Sequence, residues 1–85
     1  MAELNEILIE RGMQYGEFKS QAEISQLLKM DMRTLAWFDL EPYKREALEM
    51  ISHKIARIVN GNSNNKDSWN DIAGYAKLVV DRIES

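Results

Sequence analysis

The strongest constraint on the fold is a stretch from residue 47 to residue 78 in which two helical patterns flank one loop, ALEMISHKIARIVNGNSNNKDSWNDIAGYAKL. In both patterns apolar residues recur every three or four positions, which places them on one face of a helix. The loop between them consists mostly of Gly, Asn and Ser, which favour turns. We therefore predict an antiparallel helical hairpin in the C-terminal half of the chain.

The hairpin helices have clear end signals. Glu41-Pro42 marks the start of the first, because proline is well tolerated at the first helical position, and Gly61 closes it after Asn60. Asp67 or Ser68 is expected to cap the second. Gly74 lies in the middle of that helix, where glycine is unfavourable, so we expect a backbone or a ligand to approach closely there.

Two further helices precede the hairpin. The first is predicted from Ala2 to about Arg11 and ends at Gly12. The second follows Ser20-Gln21-Ala22-Glu23, which has the order of a capping box, and is predicted to run from about Gln21 to Arg33. The predicted fold is therefore all-α, a single helical domain over 1–85 in which a small bundle of about four helices includes a C-terminal antiparallel hairpin.

The core of such a chain is thin. A chain of 85 residues buries only about 60–65% of its extended surface on folding. Because 45% of the residues are hydrophobic, we expect a homo-oligomer in which further copies of the chain cover the remaining apolar surface.

The apolar residues that need cover fall into three groups. Two are the predicted inward stripes of the hairpin helices. The stripe of the first helix is Leu48, Ile51, Ile55, Ile58 and Val59. The stripe of the second is Trp69, Ile72, Ala76, Val79, Val80 and Ile83. The third is a cluster at Leu35, Trp37, Phe38 and Leu40, which either plugs the end of the core or forms a subunit contact.

Charge and composition exclude several classes. Eleven Lys and Arg against 14 Asp and Glu give a net charge of -3, which disfavours generic nucleic-acid binding. The chain has no cysteine, and its only histidine, His53, is expected in a surface ladder of charges with Glu49 and Arg57. No apolar run has the roughly 20 residues of a membrane span, so we expect no membrane association and a cytoplasmic location.

The best candidate ligand site combines two cations with an acid and aromatic rings. Lys54 and Arg57 lie three residues apart on one helix of the hairpin, and Asp71 and Tyr75 lie four apart on the other. Lys and Arg bind phosphate, a carboxylate accepts hydrogen bonds from a base or ribose, and a tyrosine ring stacks on a base. These four residues, with Tyr15 as a stacking wall, predict a nucleotide site, although an ion pair of Lys54 with Asp71 explains part of the pattern equally well.

Four carboxylates suggest an alternative site. Glu46 and Glu49 lie one turn apart on the third helix, and Asp67 and Asp71 lie one turn apart on the fourth. If the two pairs face each other, they could hold Mg²⁺. The helical wheel turns Glu46 and Glu49 away from the fourth helix, so solvated glutamates and a helix cap are the competing interpretation. Under the leading interpretation no metal and no cofactor is required.

A resemblance adds to these patterns. The residues that carry it are Tyr15-Gly16-x-Phe18, Ala47-Leu48, Lys54-Ile55-Ala56-Arg57-Ile58, Asn60-Gly61 and Asp67-Ser68-Trp69-x-Asp71-Ile72-Ala73-Gly74-Tyr75-Ala76. Over nearly the whole chain this order resembles a family of small helical proteins encoded by phages and prophages. It is more distantly similar to the nucleotide-modification-associated domain of phages and to the MazG-like all-α NTP pyrophosphohydrolases.

The resemblance implies nucleotide handling and an all-α fold. The MazG-like enzymes bind Mg²⁺ through E-x-x-E on one helix and E-x-x-D on the next. Glu46 and Glu49 match the first half, whereas the second half reads Asp67-x-x-x-Asp71. We therefore expect binding without turnover: a phage accessory protein, located in the host cytoplasm, that sequesters a nucleotide or nucleotide-derived signal of host defence. The alternatives are a Mg²⁺-dependent nucleoside triphosphate pyrophosphohydrolase and a protein-binding inhibitor of a host factor anchored by residues 35–40.

Overall fold

The protein folds into four α-helices and one short 3-10 helix. The computed structural model describes residues 2–84. The α-helices are α1 (Ala2–Tyr15), α2 (Phe18–Asp31), α3 (Pro42–Asn60) and α4 (Lys66–Glu84), and the 3-10 helix spans Leu35–Asp39. The described residues contain no strand, so the predicted all-α class is confirmed.

The central element is α3, which packs against α4 on one side and α2 on the other. Lys54 pairs with Asp71, and Arg82 lies over the ring of Tyr43. The later residues of α3 thus meet the earlier residues of α4, which makes the pair the predicted antiparallel hairpin. The folded chain measures 46 × 26 × 24 Å. None of its described helices combines the length and the apolar character that crossing a bilayer requires.

The first helix is longer than predicted, because Gly12 lies inside it rather than at its end. The chain leaves α1 at Gly16, whose φ of 77° is in the left-handed region that favours glycine. A Cβ atom at Gly16 would collide with the main-chain oxygen of Asn60. Gly61, on the other side of this contact, also has no space for a Cβ atom, which would collide with the backbone of Gln14 and Tyr15. The two glycines allow the end of α1 to lie directly against the end of α3.

An asparagine-rich cluster holds this contact together. The Nδ2 group of Asn60 donates hydrogen bonds to the carbonyl oxygens of Tyr15 and Glu17, each at 2.9 Å. The backbone N–H of Asn62 donates to the Gln14 carbonyl at 2.6 Å, and the Nδ2 groups of Asn62 and Asn65 donate to the Gln14 side chain. The last carbonyls of α1, which have no partner within their own helix, are satisfied in this way. The loop was predicted only as a solvated connector, and the structure shows that it also anchors α1.

The second helix begins three residues before the prediction. It starts at Phe18 after Glu17, whose side chain makes no capping hydrogen bond, and it ends at Asp31. Ser20 lies inside the first turn, so the predicted capping box at Ser20-x-x-Glu23 is wrong. Gln21 and Ser25, one turn apart, lie on the buried face of this continuous helix, which packs against α3.

The hairpin helices follow their end signals more closely. α3 begins at Pro42 and ends at Asn60 before Gly61, as predicted. α4 begins at Lys66, two residues earlier than a cap at Asp67 would place it, because the cap is Asn65 rather than Asp67 or Ser68. The Asn65 Oδ1 atom accepts a hydrogen bond from the backbone N–H of Ser68 at 3.1 Å. The Ser68 side chain is instead buried.

The buried core of the described chain is small. Its hydrophobic members are Trp37, Ala47, Ala56 and Ile58, and no large side chain is fully buried. The cluster at residues 35–40 is divided, since Trp37 is buried while Leu35 and Phe38 are exposed. Gly74 has open space where a Cβ would stand, so no backbone of the described chain approaches it, and that half of the expectation is wrong.

The face that α4 turns toward α3 differs from the predicted stripe. Ile72 and Val79 are partly buried as expected, but Trp69, Val80 and Ile83 are exposed. The seam that faces α3 is displaced around the helix and consists of Ser68, Ile72, Tyr75 and Val79. The correction has a physical reason: α4 carries more apolar surface than one neighbouring helix can cover.

Candidate functional site

A large concavity lies where the end of α1, the turn after it and the start of α2 meet α3. Its volume is about 500 Å³, within the range of small-molecule sites. We call it the Arg57 pocket. It is lined by Leu8, Arg11, Gly12, Tyr15, Gly16, Glu17, Phe18, Gln21, His53 and Arg57.

Arg57 stacks on the ring of Tyr15. The guanidinium carbon lies 4.4 Å from the ring centroid, within the range of a cation–π contact. Asn60, one turn after Arg57 on α3, donates a hydrogen bond to the backbone carbonyl of Tyr15. The same local structure therefore holds both the ring and the guanidinium. Arg57 forms no ion pair with any described carboxylate, and its partly buried side chain has a buried Nε without a hydrogen-bond partner. A guanidinium in this state has free donors for an anion.

The surroundings of His53 show that this side of α3 is electropositive. The pKa of His53 is lowered below 6.5, first by burial and then by the positive charges of Arg57, Lys29 and Lys54. His53 is partly buried beside the pocket, whereas the sequence predicted a surface ladder with Glu49 and Arg57. The lowered pKa favours the neutral imidazole near pH 7, so the cations and not the histidine supply the positive field.

Three other side chains complete the pocket. Gln21 is buried, and its amide makes no hydrogen bond to the described part of the chain. Phe18 is 76% exposed and presents a free ring at the rim, while Arg11 is exposed on the wall formed by α1. Glu17 is the one acidic residue in this lining and is also exposed. The pocket therefore combines cations, aromatic rings and an amide.

The predicted nucleotide residues fall into two groups. Arg57 and Tyr15 meet in the Arg57 pocket, as just described. Lys54 instead pairs with Asp71 across the hairpin, with 3.0 Å between Nζ and Oδ2, and the Lys54 side chain is only 12% exposed. The alternative prediction for these two residues, an ion pair instead of a ligand contact, is therefore the one that the structure shows.

Tyr75 belongs neither to the Arg57 pocket nor to the Lys54–Asp71 ion pair. It is partly buried on α4 and lines a groove of about 180 Å³ that also includes Tyr43 and Arg82. With Asp71 and Gly74 it also borders an open depression. Among the concavities described for residues 2–84, none brings together Lys54, Arg57, Asp71 and Tyr75.

The four carboxylates of the alternative metal site do not form a cluster. Glu49 lies 3.8 Å from Arg33, and Asp71 is paired with Lys54. Glu46 lines the groove beside Tyr43, and Asp67 is in the first turn of α4. In the described part of the chain no three His, Cys, Asp or Glu side chains lie close enough together to hold a metal ion.

Sequence reasoning did not identify Arg11, Phe18 or Gln21 as pocket residues. The only local signal was the Tyr15-Gly16-x-Phe18 order, which marks a turn with two aromatic residues. Arg11 and Gln21 belong to helices whose ends were predicted incorrectly. Their placement therefore could not follow from spacing alone.

Comparison with known proteins gives a family but no activity. No curated protein and no solved structure matches the chain. One family of domains does match, and its description is a domain of unknown function, DUF6378. The match covers residues 1–83, which is nearly all of the sequence and all of the helices described above except the last residue of α4. The chain therefore belongs to the DUF6378 family.

Proposed function

We propose that the protein binds a nucleotide or nucleotide-derived anion in the Arg57 pocket. The observation that carries the proposal is the state of Arg57, a partly buried guanidinium stacked on Tyr15 with no carboxylate partner in the described chain. Leaving a charge in this environment without a partner is unfavourable, and a phosphate supplies the partner with bidentate hydrogen bonds.

The other pocket residues suit the remaining parts of a nucleotide. Arg11 adds a second cation for phosphate, and the exposed ring of Phe18 offers a surface on which a base can stack. The free amide of Gln21 can donate to and accept from the edge of a base. Tyr15 and Arg57 remain from the set predicted from sequence, whereas Lys54, Asp71 and Tyr75 lie outside the pocket.

Binding without turnover is the simplest role for such a pocket. Its lining contains one acidic residue, Glu17, and the carboxylates of the hydrolase alternative are dispersed over the described surface. The resemblance to phage proteins that handle nucleotides supports a sequestering role, in which a phage accessory protein removes a nucleotide signal from a host defence system. The phage and host-defence parts of this proposal come from that resemblance.

A thermal-shift screen with mono-, di- and cyclic nucleotides, followed by calorimetry on the best ligand, tests the proposal. We expect at least one nucleotide to raise the melting temperature. Arg57→Ala should weaken its binding at least tenfold. Arg33→Ala is the matched control, because it removes an arginine that pairs with Glu49 outside the pocket. If no nucleotide stabilises the protein, or if both variants lose binding equally, the proposal is wrong.

Sequestration and hydrolysis differ in what happens to the ligand. After long incubation with Mg²⁺, chromatography should recover the bound nucleotide unchanged. Release of pyrophosphate that stops with EDTA would instead support the hydrolase.

A further inference from the structure

The outer side of α4 carries a second apolar seam, next to the seam that packs on α3. Its members repeat at alternating spacings of four and three residues, the pattern of helices that pair along their length. All five are exposed: Trp69, Ala73, Ala76, Val80 and Ile83. We call these residues the outer seam. It contains no charged residue, and Lys77 and Asp81, which flank it, form an ion pair with each other.

α3 extends this apolar surface. Leu48, Ile55 and Val59 are exposed on α3 and are spaced by seven and four residues. Leu48 and Ala76 line one groove between the two helices, of about 290 Å³, which shows that the outer seam and Leu48 lie on the same face of the hairpin. The hairpin therefore presents a two-helix apolar face to solvent.

The exposed area matches what a dimer requires. The chain has an accessible surface of 6380 Å². A compact monomer of 9.9 kDa has about 5,200 Å². The excess of about 1,200 Å² is larger than the roughly 800 Å² that each partner contributes to a standard stable interface. The excess is spread over α1 and the hairpin face together, and it leaves enough surface for one standard interface with a second copy of the chain.

We propose that two copies of the protein pair through this face, with their α4 helices antiparallel and crossing at Ala76. A two-fold axis at Ala76 sets Trp69 of each copy against Ile83 of the other and Ala73 against Val80. Large residues then face smaller ones, and the small Ala76 pair lets the helices approach closely. A parallel arrangement would set Trp69 against Trp69 and Ala73 against Ala73, which leaves gaps. The two hairpins together form a four-helix arrangement.

This interface is separate from the Arg57 pocket. At about 100° per residue, Arg57 lies about 180° around α3 from Leu48. Each copy in the dimer therefore keeps its own pocket open on the outside. The dimer and the nucleotide site can be tested, and can fail, independently.

Sedimentation equilibrium of the full-length chain without ligand is the first test. We expect twice the 9.9 kDa mass of one chain. Val80→Glu should raise the dissociation constant at least 100-fold, while Leu78→Glu should leave the mass unchanged. The two residues are matched, since Val80 is 43% and Leu78 is 51% exposed on the same helix, but Leu78 faces the Tyr75 groove. A monomeric wild type at several hundred micromolar, or equal effects of the two substitutions, overturns the proposal.

Cysteine cross-linking is the second test and decides the matter if Val80→Glu does not fold. The chain has no cysteine, so a single introduced thiol can link only to the same position of another copy. Ala76→Cys should form a disulfide dimer under mild oxidation at least tenfold faster than Leu78→Cys. A mixture of Trp69→Cys and Ile83→Cys chains should cross-link preferentially to each other, as the antiparallel order requires. Equal rates at positions 76 and 78, or links formed only between identical chains in the mixture, contradict the proposal.

Discussion

Gly16 and Asn60 lie so close together that a Cβ atom on the glycine would overlap the main-chain oxygen of the asparagine. Asn60 also donates from its side chain to the carbonyl oxygens of the residues on either side of Gly16. The end of α1 and the end of α3 are therefore one structural unit, and Arg57 and Tyr15 meet because of it. Two of the predictions below test this unit.

Gly16→Ala should destabilise the protein. The left-handed conformation alone costs a residue with a Cβ about 1–2 kcal/mol, and the overlap with Asn60 adds to that value. Urea denaturation followed by circular dichroism measures the change. Gly12→Ala is the control, because it lies within α1 with open space around it and should stabilise by about 1 kcal/mol. Equal effects of the two substitutions would contradict the structure of this turn.

Asn60→Ala should destabilise the protein by about 1–3 kcal/mol, because two hydrogen bonds to backbone carbonyls are lost together. Asn64→Ala should change stability little, since the side chain of Asn64 is exposed and makes no hydrogen bond to the described chain. Both free energies of unfolding come from urea titrations. A negligible effect of Asn60→Ala would mean that α1 is not held at this point.

The stability of the protein should decrease as the pH falls below 6.5, with a contribution from His53. Its pKa is lowered in the folded state by burial and by Arg57, Lys29 and Lys54, so the unfolded chain binds the proton first. The contribution of neutral His53 to stability is complete above pH 6.5, and it is lost as the pH falls from 6.5 to the lowered pKa of the folded state. In urea titrations at pH 7.5, 6.5 and 5.5, His53→Gln should remove this part of the slope. An unchanged slope would mean that His53 is not in a cationic, partly buried environment.

The Lys54–Asp71 pair should contribute a small coupling energy. A double-mutant cycle with Lys54→Met and Asp71→Asn should give about 0.5–1 kcal/mol, because the Asp71 side chain is 47% exposed and water screens the pair. The same cycle on the exposed Lys77–Asp81 pair should give a smaller value, near 0.3–0.5 kcal/mol. High salt should reduce both values. A coupling below that of Lys77–Asp81 would show that Lys54 and Asp71 are not held together in solution.

The fold was predictable where one strong local signal stood alone. Pro42 and Gly61 set the ends of α3 as expected. Two signals were misleading, Gly12 and the Ser20-x-x-Glu23 order, because the packing of α2 on α3 and the contact at Gly16 decide the ends of α1 and α2. These are tertiary effects between residues distant in the sequence, and no local pattern contains them.

The site could be predicted only in part, for a geometric reason. Lys54 and Arg57 are three residues apart, and the sequence placed them together on one face. In the structure α3 has neighbours on two sides, and the roughly 60° between these residues is enough for them to contact different helices. Lys54 meets Asp71 on α4, whereas Arg57 meets Tyr15 on α1. The Arg57–Tyr15 contact joins residues far apart in the chain, so periodicity could not reveal which of them meet.

The asparagine cluster also orders the folding of the chain in time. The hydrogen bonds that finish α1 come from residues 45 to 51 positions further along. A helix of 14 residues is only marginally stable in isolation. We therefore expect α1 to become stable only after the loop before α4 has left the ribosome. In the folded protein we expect the amide protons of α1 to exchange with solvent before those of the hairpin, because opening this cluster releases the end of α1.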